Sequence, residues 1–169
     1  MTISGEWSDG GDAQIGQANQ SPRAHGRGRQ VVIQNPDGST EIRTGGTISW
    51  RNNDPGNMHS GSFTAGAGQI GTNGVLAVFP DYATGYNALT SRLGSPEWSD
   101  KTLGQALHDW APPNENDTAR YIAAISARTG LSQNRTLGSM NAAQIDSVAQ
   151  AIQHQEGWKA GTVSRSGAS

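Results

Sequence analysis

The chain has 169 residues, 33% of them hydrophobic and 23 of them glycine, with a formal net charge of -2. That length supports one domain with a core, and the polar, glycine-rich balance points to a looser segment beside it. The absence of cysteine excludes a cysteine nucleophile, a thiolate zinc site and a disulfide framework. No basic cluster marks a nucleic-acid surface, and no apolar run reaches membrane-spanning length, so neither nucleic-acid binding nor membrane insertion is expected.

Residues 1–28 are rich in Gly, Gln, Ser and Asp with almost no periodic apolar positions, which predicts a disordered or docking tail. The opening stretch MTISGEWSDGGDAQIGQANQ has neither the basic start nor the apolar centre of a Sec signal. Residues 29–50 read as a short β-hairpin and linker, because VVI and TEI flank the turn signal NPDG. RNNDPGNMHSGSF, which follows TISW, reads as loop. GVLAVFPDY predicts a short buried strand ending at Pro80.

From Tyr82 the apolar period becomes helical through Tyr86, Leu89 and Leu93, and Gly94 stops the run. A second helix covers KTLGQALHDWAPP, with Thr102 and Gln105 spaced as a capping box and Pro112-Pro113 ending it. A third covers NDTARYIAAISARTG, with Gly130 as its C-terminal glycine. The last starts near Asn141, with Gln144 three residues on, and runs to Glu156. Residues 51–161 thus form the compact domain, and 162–169 a flexible tail. The fold class expected is mainly α (α+β), a helical domain with a small β element.

The last helix carries the sharpest chemical signal. Ile145, Val148, Ala149 and Ile152 make one apolar stripe, and four residues beyond 152 comes Glu156. A carboxylate on the apolar face is partly desolvated, and the negative end of the helix dipole lies beside it. Both effects favour the protonated form that a general acid needs. The competing reading is a solvated glutamate on a frayed last turn. Gly157 allows the chain to turn sharply away.

The stretch VAQAIQHQEGWKAG resembles the catalytic helix of the lysozyme-like superfamily, in its glucosaminidase and lytic transglycosylase branch, where such a helix ends on the catalytic acid. RNNDPGN (51–57) resembles that family's Asn-rich loop, LAVFPDYATGYNAL (76–89) the segment after it, and DWAPPNENDTARYIAAI (109–125) its later helices. Here all of these precede the Glu helix, so the resemblance implies a circularly permuted lysozyme-like domain. Over roughly residues 48–160 the chain also resembles phage and bacterial muralytic proteins with an RNNNPGN signature. Asp54 stands where the commoner pattern has Asn.

The resemblance implies an enzyme that cleaves peptidoglycan glycan strands as a muramidase, glucosaminidase or lytic transglycosylase. Glu156 would be the acid. Tyr121 matches the family's cleft tyrosine, although core packing also explains it. Asp54, Asp81, Glu115 and Asp117 are the candidates for a second carboxylate. Asp81 and Asp117 also suit helix N-termini, as does Glu115. Asn52, Asn53 and Asn57 can bind sugar amides and hydroxyls or fix a tight loop. Trp158 can stack on a sugar face or cap the core, and Tyr82 joins the substrate-binding set.

The four histidines are scattered without metal-ligand spacing, so no metal and no cofactor are expected. The implied setting is an antibacterial effector of a contractile (type VI-like) secretion system, or a phage lytic enzyme. It would be made in the cytoplasm without a Sec signal and act in the periplasm of a target bacterium. Its partners would be the glycan strands, a periplasmic immunity protein and, through the N-terminal segment, a secretion or tail apparatus. The alternatives are a non-catalytic cell-wall-binding or structural virion protein, and an amidase or peptidase acting on the stem peptide.

Overall fold

The computed structural model describes residues 23–27 and 29–167. The tail expected over 1–28 lies outside the described residues except for Arg23–Arg27, which form strand β1. β2 (Gln30–Gln34) and β3 (Thr40–Thr44) make the expected hairpin, with Gln34 opposite Thr40. The turn closes through Asn35 N–H donating to Ser39 O at 2.8 Å, and Gly38 takes φ 90°. Asp37 Oδ1 accepts from both the hydroxyl and the backbone N–H of Ser39, which holds its carboxyl below the usual value.

Short helices α1 (Ile48–Arg51) and α2 (Ser62–Gly66) follow, then the two-residue strands β4 (Gly71–Thr72) and β5 (Ala77–Val78). α3 runs Tyr82–Leu93, α4 Leu103–Trp110, α5 Thr118–Thr129 and α6 Ala142–Glu156. β6 (Thr162–Ser166) ends the described chain. The sheet order is β5-β4-β1-β2-β3-β6, antiparallel except for the parallel β1–β4 pair.

This overturns the expectation of a mainly α, lysozyme-like domain with a small β element. Of the described residues 44% are helix and 18% strand, with a six-stranded mixed sheet, and the class is α+β. The extra strands come from segments read as tails. β6 has all five residues exposed, and β1 reads RAHGR, so neither shows a period-2 apolar pattern. Ladder pairing, rather than an alternating apolar pattern, makes them strands, although Ala24 of β1 is buried.

The chain divides into two compact units, one from the segments up to Ala88 and from Gly157 onward, the other Leu89–Glu156. In the first, the sheet unit, Ala24, Val31, Ile33 and Val78 are buried together with Ile70 packed against them. In the second, the helical unit, α5 packs on α4 and α6, and Leu103, Leu107, Ile125, Val148 and Ile152 are buried. The capping signals hold. Thr102 Oγ1 accepts from Gln105 N–H while Gln105 Oε1 accepts from Thr102 N–H. Asn141 and Gln144 exchange the same pair of bonds at the start of α6. Each cap offsets N–H groups the helix leaves unpaired.

Candidate functional site

In the helical unit, α6 buries Val148, Ala149 and Ile152 and half-buries Ile145, as its apolar stripe requires. The same face ends on Glu156, which is half-buried. Gly157 then takes φ 90°, a conformation that disfavours any side chain, and the helix stops.

On α5, Tyr121 is only 5% exposed, and its hydroxyl donates to Glu156 Oε2 at 2.6 Å. Burial pushes the Tyr121 hydroxyl far above its usual value of 10.0, and the charge of Glu156 and the bond to it push the same way. The phenol therefore stays protonated and always donates. Donation to a carboxylate favours its ionised form, which opposes the desolvation expected from sequence. The bond engages Oε2 of the carboxyl group. A short, charge-assisted bond of this kind fixes the carboxyl group in one orientation.

The sheet unit holds the remaining candidates. Arg51–Asp54 leave α1 into a loop in which Asn53 and Asn57 take φ 52° and 51°. Asn52 is fully buried, and neither atom of its side-chain amide has a hydrogen-bond partner among the described residues. Its backbone O accepts from Phe79 N–H at 2.8 Å. Asn53 Nδ2 donates to Phe79 O at 3.1 Å. Asp54 is closed to solvent, and its Oδ2 accepts from Met58 N–H at 2.7 Å. Asn57 is half-buried. These bonds of Asn53 and Asp54 fix the loop, as Asx chemistry favours. Gly85 of α3 lies against this loop: a Cβ there would stand 1.8 Å from Asn53 O.

Asn53, Tyr82 and Trp158 line one groove of about 370 Å³ in the sheet unit, together with Asp81. The Tyr82 and Trp158 rings meet edge to face at 5.1 Å, and Tyr82 stacks on Tyr86 at 5.7 Å. Asp81 is exposed and caps α3, with Oδ1 accepting from Thr84 N–H and Oγ1. Asp117 likewise caps α5 through Arg120 N–H. Both match the N-terminal role rather than that of a second catalytic carboxylate.

The groove also contains residues that sequence reasoning passed over. Glu41 and Arg43 of β3 are 9% and 8% exposed, while Ile42 between them is the more open. Glu41 pairs with Arg43 at 3.0 Å and with Arg165 of β6 at 3.0 Å. Arg43 lies 4.1 Å over the Trp50 ring and donates to Trp50 O. The available signal was the spacing of two opposite charges two residues apart in a strand, which puts both on one face.

Among the described residues no group of His, Cys, Asp and Glu is placed to hold a metal ion, and no helix is long and apolar enough to cross a membrane. Neither a protein-family model nor a curated protein matches the sequence.

Proposed function

We propose that this protein cleaves peptidoglycan glycan strands with Glu156 as the general acid. The observation that carries the reading is the 2.6 Å bond from the Tyr121 hydroxyl to Glu156 Oε2. The two residues for which the sequence resemblance implies catalytic roles are hydrogen-bonded to each other. Glu156 gives its proton to the glycosidic oxygen, the C–O bond breaks, and positive charge spreads over the anomeric carbon and ring oxygen. Asp54 is closed to solvent, so the chemistry needing fewest residues uses one acid. The sugar's own 6-hydroxyl attacks the anomeric carbon, its proton returns to Glu156, and an anhydro product leaves.

The substrate lies outside the cytoplasm, so the protein would act in the periplasm of a target bacterium. A producing cell would need an immunity protein to block it. A second reading, wall binding without turnover, is favoured by the aromatic groove of the sheet unit, which exists independently of Glu156.

The test is digestion of purified peptidoglycan by the protein and by Glu156→Gln, with the fragments read by mass spectrometry. Release of anhydro-ended fragments by the native protein alone supports the proposal. Reducing ends keep the acid and replace the 6-hydroxyl by water. Equal release by both proteins removes Glu156 from the chemistry, and release by neither leaves the binding reading.

A further inference from the structure

The geometry points to the groove of the sheet unit as a subsite for an amino sugar bearing a carboxylate, with Arg165 as the residue that reads the carboxylate. The groove presents two kinds of surface. One is aromatic: Trp158 is half-buried and Tyr82 is 42% exposed, which leaves ring surface open to a ligand. Flat apolar faces with a few convergent polar groups are what a small-ligand site requires.

The other surface is charged and held in advance. Glu41 lies directly opposite Arg165 in the β3–β6 ladder and bonds it through Oε1, while its Oε2 bonds Arg43. One buried carboxylate therefore faces two guanidinium groups, and the cluster carries one net positive charge. Arg43 has little left to give: it is 8% exposed, spread over Trp50 and bonded to Trp50 O. Arg165 is different. Its side chain is 69% exposed, and only Nη2 has a partner among the described residues. Nε and Nη1 remain as donors beside the groove, in the planar fork that suits a carboxylate.

A buried ion pair adds little to stability and is often costlier than an apolar replacement. Burying Glu41 and Arg43 on a strand whose Ile42 is only half-buried is thus explained better by holding Arg165 than by folding. Asp81 sets the rest of the ligand. Its Oδ1 is engaged by Thr84, so Oδ2 is the acceptor it offers to a hydroxyl or an amide N–H. A second carboxylate on the ligand near Asp81 would be repelled. One carboxylate, several donors and a flat ring face describe an N-acetyl amino sugar with an acidic substituent.

The identity of this ligand rests on the proposed glycan cleavage; the groove and its charges do not. The experiment is binding to the full chain carrying Glu156→Gln, followed by tryptophan fluorescence and calorimetry. The probes are a neutral chitooligosaccharide and a muramic-acid-containing glycan of equal length. The expected result is tighter binding of the acidic glycan. Arg165→Gln should weaken that ligand roughly tenfold, the scale of one charge-assisted bond, and leave the neutral one unchanged. Trp158→Ala should weaken both. Equal affinity for the two glycans, or an equal effect of Arg165→Gln on both, overturns the assignment of Arg165. Arg165→Lys separates charge from the planar fork and should recover only part of the affinity. Binding with this selectivity but no cleavage by the unmutated protein would sink the catalytic proposal and keep the subsite. Cleavage that Arg165→Gln and Trp158→Ala leave unchanged would do the reverse.

Discussion

The Tyr121 hydroxyl donates to Glu156 Oε2 across 2.6 Å, joining α5 to the last residue of α6. The phenol is buried and stays protonated, so the bond has one direction. Removing it withdraws a donor that favours the ionised carboxyl group.

Tyr121→Phe should therefore move the alkaline limb of the pH–rate profile upward. A hydrogen bond to a charged group contributes about 1.5–3 kcal/mol, enough for the displacement to be read in the profile. Glu156→Gln should lower turnover by roughly a hundredfold or more, the scale of a positioned general acid. Profiles of fragment release against pH check both. An unmoved limb in Tyr121→Phe would mean that the phenol only packs.

The same tyrosine makes stability fall in alkali. An unfolded tyrosine ionises near pH ~10. Folded Tyr121 ionises only well above that. Between these points the unfolded chain has lost a proton that the folded chain keeps. Stability from this residue is thus complete below pH ~10 and declines above it by about 1.4 kcal/mol per unit. Urea unfolding of the protein and of Tyr121→Phe, on both sides of that pH, should show a shallower decline in the variant. Parallel declines would refute the linkage.

Gly85→Ala should destabilise the sheet unit. The added methyl would sit 1.8 Å from Asn53 O, and the neighbour is backbone, so it cannot step aside cheaply. Overpacking of this kind costs about 1–3 kcal/mol. A thermal midpoint lowered by several degrees is expected, and an unchanged midpoint would show that α3 and the 51–57 loop separate easily.

Glu41 and Arg165 should differ sharply as stability sites even though they bond each other. Glu41→Ala leaves Arg43, 8% exposed, without its carboxylate, and removing one member of a buried pair costs about 3–5 kcal/mol. Contacts of Arg43 with Trp50 put the lower end of that range in view. Arg165→Ala removes a 69% exposed side chain and should cost under about 1 kcal/mol. Denaturant midpoints compared at constant slope test the contrast. Similar losses in the two variants would mean that Arg165 also holds the fold.

The helices were legible because their signals are local. Thr102 with Gln105, Asn141 with Gln144, Gly94 and Gly130 act within one turn of chain, and each stands where the sequence placed it. The NPDG hairpin was legible for the same reason. The α6 stripe also put Glu156 on the half-buried face. The sheet was not legible. β1 and β6 lack alternating apolar residues, and TEIRT turns its charges inward where Ile42 would be expected to point.

By itself the sequence determined where helices begin and end, the hairpin turn, and that a carboxylate would close the last helix. Those features depend on backbone hydrogen bonds and side-chain spacing within a few residues. The tertiary structure alone decided that Thr162–Ser166 pairs with Thr40–Thr44, that Arg165 comes to face Glu41, and that Tyr121 reaches Glu156. Such contacts join positions far apart in the chain, and their partners are chosen by ladder register and packing rather than by any residue's own preference.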